Sequence, residues 1–362
     1  MSANKLKRRG RRREKASEWA AAAAAYRAAL AKDARDPDLW YRLGRTLEQQ
    51  QDWIGAATAI REAIVRHGGS GRWYFRLGGA LERAGNVGEA REAYRRAESL
   101  SGFEPSLKGV RGRQLSYQER IDLGIMPKAS YAYLLFRGAG LAKRLGVKRI
   151  SAVELGVAGG NGLVAMERHA ADIEAMTGVS IDVYGFDTGE GLVAPRDHRD
   201  LPYRFAEGTF VMDVDKLRAR LERAELVLGD AAETFAEFLD NGPAPLGAIS
   251  LDMDLYAPTR AVLDTMGDEA SERRFLPRVP LYFDDVVGNR EQDYNEFTGE
   301  LLAIREFNEE NSAVKVAEDR HFWTLPINEA WHHGIYTMHR FAHPEYDTYV
   351  RRARARSLAL KA

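Results

Sequence analysis

Apolar and polar positions along this chain follow two rhythms, and the change between them falls near residue 129. Between residues 17 and 100 the same residue types return every 34 positions. Trp40 is matched by Tyr74, Leu43 by Leu77, Gly44 by Gly78 and Leu47 by Leu81. Ala22, Ala56 and Ala90 share the interval, as do Tyr26, Ile60 and Tyr94, then Ala29, Ala63 and Ala97. The small residues let two helices approach closely, and the large ones fill the layer between them. The pattern predicts one helix followed by two helical pairs. Residues 101–128 lose the interval and gain Gly, Pro and basic residues, as expected of a linker and lead-in.

From residue 129 short apolar runs alternate with longer amphipathic ones. Helical spacing marks "YAYLLFRGAGLAKRLG", "GLVAMERHAADIEAMTG", "DVDKLRARLERA", "AAETFAEFL", "PTRAVLDTM" and "EFTGELLAIREFNEEN". Between them lie the strand-like runs "RISAVELG", "IDVYGFD", "ELVLGD", "LGAISLD" and "VPLYFDD"; "AVKVAED" and "GIYTMHRF" finish the series. Such alternation predicts an α/β domain over 129–350, with a parallel sheet covered on both faces and ligands at the carboxyl ends of its strands.

The interval over 17–100 resembles tetratricopeptide repeats. The resemblance implies an all-α stack that presents a groove, with binding of a protein partner as its usual work. A plainer role, capping the next domain or joining two copies of the chain, fits equally well. The start, "MSANKLKRRGRRREK", is expected to be a solvated, disordered basic tail over 1–16, with an anionic partner or membrane surface as the other reading. A second basic tail is expected over 351–362. No transmembrane segment is expected, because Arg27 and Lys32 interrupt "WAAAAAAYRAALAK" long before a bilayer is spanned.

Composition narrows the chemistry. With 45% apolar and 29% charged residues the chain is an ordinary globular one. A net charge of zero gives no sign of nucleic-acid binding. The absence of cysteine removes disulfides, thiolate catalysis and cysteine-based zinc sites, and suits a reducing cytoplasm.

The candidate site is written at the strand ends. "VELGVAGGNG", Val153 to Gly162, is a glycine-rich turn from strand to helix, where Gly156 and Gly160 let backbone N–H groups approach a ligand. Gly160-x-Gly162-x-x-Ala165 is a weak dinucleotide fingerprint, since Glu154 precedes it and would repel a pyrophosphate. A carboxylate at that place suits an ammonium group. Asp187, ending the second strand, can accept both hydroxyls of a ribose, and Asp230, ending the third, can receive an adenine amino group. A ligand with an ammonium, a ribose and an adenine but no phosphate is S-adenosylmethionine.

The second half of the site is acidic. "ISLDMDLYAPT" and "VPLYFDDVV" bring four carboxylates to two strand ends, a costly grouping unless a cation sits among them. Asp252, Asp284 and Asp285 can supply oxygen ligands to Mg²⁺, leaving Asp254 as general base for a hydroxyl. The bland alternative is that these acids cap helices and meet Arg260 or Arg290. His321, His332 and His333 are weaker base candidates, and Trp323, Trp331 and Tyr336 could stack on a sugar ring.

These residues resemble the class I S-adenosylmethionine-dependent methyltransferases, and more narrowly the macrocin-type sugar O-methyltransferases, over roughly residues 128 to 345. "ELGVAGG", "YGFDTGEGL", "LDMDLYAPT" and "YFDDV" carry the resemblance. It implies a seven-stranded Rossmann-like sheet with one antiparallel strand and cofactor contacts at Glu154, Gly156, Asp187 and Asp230. It also implies metal at Asp252, Asp284 and Asp285 and the base at Asp254. The insert "GDEASERRFLPRVP" is longer and more charged than the family's usual turn, so acceptor identity is where this chain is expected to differ. Two other functions remain open: an interaction protein whose methyltransferase-like domain has lost catalysis, and a nicotinamide oxidoreductase.

Overall fold

A computed structural model of the chain describes residues 1–100, 116–288, 294–324 and 329–348. The chain divides into two compact units, Met1–Pro127 and Lys128–Ala362. Residues 101–115 of the linker and lead-in assigned to 101–128, and the basic tail assigned to 351–362, lie outside the described residues.

The first unit is a stack of helical pairs: α1 (Ala3–Lys15) with α2 (Trp19–Leu30), α3 (Pro37–Gln49) with α4 (Trp53–His67), and α5 (Gly71–Arg83) with α6 (Val87–Ser99). A short α7 (Tyr117–Asp122), opened by a Ser116/Glu119 capping box, follows. The basic start is therefore not a disordered tail. It is the first helix of a first pair, and the stack holds three pairs rather than two and a half. The physical reason is an extension of the 34-residue interval that the density of charge concealed. Gly10, Gly44 and Gly78 occupy one position, and a Cβ on them would lie 2.5, 2.6 and 2.6 Å from Tyr26, Ile60 and Tyr94 respectively. Close approach of the paired helices thus requires glycine in all three repeats.

Acids obey the same interval. The Tyr26 hydroxyl donates to Glu14 at 2.7 Å, and the Tyr94 hydroxyl donates to Glu82 at 2.9 Å. Ile60 has no hydroxyl to offer, and Glu48 is instead paired with the buried Arg76. Each of these three acids thereby meets a hydroxyl or a guanidinium group within the stack, although Glu48 Oε1 keeps no hydrogen-bond partner.

The second unit begins at α8 (Ala129–Leu145) and runs β1 (Arg149–Leu155), α9 (Asn161–Thr177), β2 (Ser180–Asp187), α10 (Val214–Arg218), β3 (Glu225–Leu228) and α11 (Ala231–Asp240). It continues β4 (Leu246–Leu251), α12 (Tyr256–Gly267), β5 (Arg278–Phe283), α13 (Gly299–Glu310), β6 (Val314–Glu318) and β7 (Ile335–Arg340). The seven strands lie in the order β3-β2-β1-β4-β5-β7-β6. β1 to β5 pair in parallel and β7 runs antiparallel to both neighbours, as expected. Ile150, Leu155, Ile181, Phe186, Ile249, Leu251, Leu281 and Phe283 are fully buried, which fits a sheet covered on both faces.

Two local expectations change. Helical spacing over "DVDKLRARLERA" yields only the short α10, because the buried Glu167 carboxylate accepts backbone N–H groups of Glu222, Arg223 and Ala224 and holds that end as a turn. The charged insert before β5 lies at the strand's start, away from the carboxyl ends. There Arg340, fully buried, donates to Glu272, to Ser271 Oγ and to the Met266 carbonyl. The insert closes the sheet's far edge and does not border the cleft described below.

Candidate functional site

The strand ends are tied to one another by hydrogen bonds that continue each ladder past its last residue. Gly156 N donates to the Phe186 carbonyl, Asp252 N to Leu155, Asp284 N to Leu251 and Gly229 N to Asp187. Gly156, at φ 86°, lies so close to the next strand that a Cβ would be 1.8 Å from the Asp252 carbonyl oxygen. The glycine turn and the acidic strand end are thus one packed unit, and any larger residue at 156 would separate them.

They border a small cleft, about 70 Å³, at the carboxyl edge of the sheet. Gly156, Asp187, Asp230, Asp252 and Asp254 line it, together with Phe186, Thr188, Leu192 and Phe210. Glu154, Gly160, Asp284 and Asp285 are not among its lining residues. The segment after β2 that contributes Thr188, Leu192 and Phe210 was not foreseen as part of the site. It is anchored by the buried Asp200, whose carboxylate accepts the backbone N–H groups of Arg196 and Ala257.

Each acid on the cofactor side has a definite environment. Asp187 Oδ2 accepts Val157 N at 2.8 Å and Ala158 N at 2.9 Å, and Oδ1 accepts Gly189 N at 2.7 Å. It therefore holds the glycine turn in shape as well as facing the cleft. Asp230 is the N-cap of α11, its Oδ1 accepting Ala232 N and Glu233 N. Glu154 is buried beneath the turn. The Tyr131 hydroxyl donates to its Oε1 at 2.6 Å, whereas Oε2 has no partner. Burial, reinforced by Asp252, pushes its pKa up to about 8. Gly160 takes φ 74° as the N-cap of α9, against the Leu217 side chain.

The acidic side departs from the expected grouping. Asp252, Asp254 and Asp285 offer oxygens within 4.8 Å of one another, a cluster able to hold a metal ion. Asp284, expected among the ligands, receives the Tyr282 hydroxyl. Asp254 sits at φ 60°, a left-handed conformation that an aspartate tolerates at some cost. Its carboxylate faces that of Asp285, so each raises the other's affinity for a proton or a cation. Burial first, then mutual repulsion, raises the pKa of Asp252 and of Asp285 to about 8 and that of Asp254 to about 7. Lys128 opposes this at Asp252, and Arg204 opposes it at Asp254 and Asp285. Arg260, proposed as a structural partner, is engaged by Asp264 and Glu310 instead, and Arg290 lies outside the described residues.

A further acid belongs here. Glu300, at the start of α13, is fully buried; its Oε2 accepts Asp285 N at 3.1 Å and its Oε1 has no partner. Burial and the charges of Asp285 and Asp252 raise its pKa well above the ordinary value. No strand end or short motif marks it in sequence; only its apolar setting in "FTGELLAI" hints at burial. Lys128 and Arg204 were missed for the same reason. The histidines lie elsewhere: the buried His332 stacks on Phe322 and His333 approaches Glu318. Trp331 packs on Phe322 and Tyr336 on Phe283, as interior aromatics do, while Trp323 is 60% exposed and donates to Glu318.

A family model described as tetratricopeptide repeat matches residues 7–64 and 50–105, so the N-terminal part of the chain carries these repeats, α1 included. No curated protein matches. Among solved structures, the first tetratricopeptide domain of Spaghetti (RPAP3), bound to an HSP90 peptide, is 20% identical over 30% of this chain and 85% of that one, with a TM-score of 0.27. The Arabidopsis OM64 tetratricopeptide domain is 19% identical over 30% and 88%, also at 0.27. CalS11, a calicheamicin methyltransferase, is 20% identical over 63% of this chain and 81% of that one, with a TM-score of 0.40. It is the strand order with an antiparallel β7, rather than these distant likenesses, that makes the second unit a class I methyltransferase fold.

Proposed function

We propose that the chain is an S-adenosylmethionine-dependent O-methyltransferase, assisted by Mg²⁺ and acting on a hydroxyl of a sugar or sugar-containing acceptor. The observation that carries the reading is the meeting of Asp252, Asp254 and Asp285 beside a cleft at the carboxyl edge of this sheet. Lys128 and Arg204 oppose their charge without cancelling it, and acids so arranged call for a cation or protons.

The donor set fits the two groups. All-oxygen carboxylate ligands suit a hard cation such as Mg²⁺. The cleft offers Asp187 to a ribose and Asp230 to an adenine, and the unpartnered Glu154 Oε2 beneath the turn is assigned to the ammonium end. S-Adenosylmethionine, when bound, supplies an electrophilic methyl group on a sulfonium. Mg²⁺, when bound, lowers the pKa of an acceptor hydroxyl. Asp252, Asp284 and Asp285 are assigned to hold the cation, which asks Asp284 to leave the Tyr282 hydroxyl. Asp254 takes the acceptor's proton; its pKa of about 7 in the cation-free site is close to what a base requires. Glu300, through the Asp285 N–H, fixes the backbone from which Asp285 projects. The repeats of the first unit are assigned to a protein partner, and the cytoplasm is the assigned location.

Calorimetric titration of the full chain with S-adenosylmethionine and with NADH tests the reading. Binding of the first alone is expected. Binding of NADH would favour the oxidoreductase, and binding of neither would favour an interaction protein.

A further inference from the structure

Beside α8 a second cavity, about 600 Å³, opens over β5, β7 and β6. Pro280 and Thr337, paired across β5 and β7, form its floor, and Tyr133, Arg137 and Leu141 form its wall. None of the acids assigned above to cofactor, cation or base lines it. Four arginines do: Arg137 and Arg144 of α8, Arg278 of β5 and Arg320 of the turn after β6. Glu318 and Asp319 are its carboxylates, and both are engaged. Asp319 accepts the Tyr133 hydroxyl at 2.6 Å, and Glu318 accepts Trp323 Nε1 at 2.8 Å. Among the described residues Arg137, Arg278 and Arg320 meet no carboxylate. Each lies over a ring instead, Tyr133, Tyr346 and Trp323 respectively, at 5.8, 4.0 and 5.1 Å.

We propose that this cavity binds a small ligand through a diphosphate group. Stacking holds the face of each guanidinium and leaves the N–H groups in its plane for an anion. The cations arrive from a helix, a strand and a turn. A phosphate accepts from several directions, whereas a carboxylate accepts in one plane. α8 starts at the carboxyl edge, where Tyr131 reaches Glu154, and Gly138 passes Gly247 at the start of β4. Arg144 and Arg278 therefore lie towards the strands' starting edge, and Arg320 towards the carboxyl edge. Charge spread along about 10 Å of α8 between Arg137 and Arg144 suits two linked phosphates better than one. Four arginines against two carboxylates leave an excess of two positive charges, which a diphosphate neutralises. Beyond Thr348 the sequence holds four arginines, one lysine and no acidic side chain, so it offers no counterion. The inference does not depend on the methyl-transfer reading.

The test titrates the full chain with inorganic pyrophosphate in EDTA, by calorimetry, so that no divalent cation bridges the anion to the acidic cluster. Orthophosphate, citrate and a short RNA oligonucleotide serve as comparisons. Saturable binding of pyrophosphate is expected, weakened by added salt and at least about tenfold tighter than that of orthophosphate or citrate. Arg137→Gln with Arg320→Gln, both at exposed positions, should weaken it at least about tenfold. Arg168→Gln, an exposed residue of α9 outside the cavity, should leave it unchanged. Arg137→Lys with Arg320→Lys keeps the charge and should lose less, and thermal melting checks that each variant is folded. ADP and UDP are titrated alongside. Tighter binding of either than of pyrophosphate would put the diphosphate on a nucleotide, and equal or weaker binding would leave it a free anion; both fit the proposal. No binding of pyrophosphate, undiminished binding in the folded Arg137/Arg320 variants, or an equal loss in Arg168→Gln would each overturn it. So would binding of orthophosphate, citrate or the oligonucleotide as tight as that of pyrophosphate.

Discussion

Two sets of carboxylates sit in the two units of this chain, and their neighbours differ. In the repeats Glu14, Glu48 and Glu82 recur at one interval, and each is matched by a tyrosine hydroxyl or an arginine. At the carboxyl edge of the sheet Glu154 and Glu300, like Glu48 in the repeats, each keep one oxygen with no hydrogen-bond partner, but here Asp252, Asp254 and Asp285 also face one another. A fold that sets its acids against hydroxyl and guanidinium groups in one place and against one another in another is storing a cost that a ligand can relieve. The contrast separates carboxylates that build the fold from carboxylates that await something.

The largest expected effect lies in the second set. Asp254→Asn keeps shape but cannot take a proton, so methyl transfer should fall on the order of 10²–10⁴-fold. Cation binding, read by the Mg²⁺ dependence of the remaining activity, should persist. A loss of cation binding instead would make Asp254 a ligand, as its closeness to Asp252 and Asp285 allows. In the first set, Arg76→Met leaves Glu48 buried without its ion-pair partner and should cost about 3 kcal/mol in chemical unfolding, with cofactor binding unchanged. Asp187→Ala removes the anchor of three backbone N–H groups and the candidate ribose acceptor. S-Adenosylmethionine binding should weaken by about 1.5–3 kcal/mol in calorimetry. The smallest effect is expected of Glu300→Gln. A buried acid held neutral should tolerate the neutral amide, so stability near pH 6 should change by less than about 1 kcal/mol. A large loss there would show that Glu300 is charged and place it with the matched acids.

Much of this contrast was legible in the sequence, and the rest was hidden for identifiable reasons. Strand ends and the acids upon them could be read because apolar runs and turn residues are local signals. The first repeat was missed although Gly10 lies one interval before Gly44, because the basic run around it overrode a pattern carried by few apolar residues. Asp230 and Asp187 show the opposite limit: sequence placed them at the site, but not that one caps a helix and the other secures the glycine turn. Glu300, Lys128 and Arg204 reach the acidic cluster from distant segments, and no spacing rule links them to it. The fold was set by periodicity; the membership of the site was set by which distant elements packed together.

Thermal melting of the full chain with and without Mg²⁺, across pH, tests the central claim most directly. In the cation-free protein Glu154, Asp252 and Asp285 titrate near 8 and Asp254 near 7, above the ordinary 3.8 to 4.5. The folded state therefore binds more protons than the unfolded one over this window, and stability should fall as pH rises from about 4.5 to about 8. Mg²⁺ takes the place of protons, so its stabilising effect should be slight near pH 5, grow towards pH 8, and vanish in Asp252→Asn with Asp285→Asn. It should survive in Arg76→Met, where only the matched acids are disturbed. A melting temperature that Mg²⁺ leaves unmoved at every pH, or moves equally in the double variant, would contradict the account.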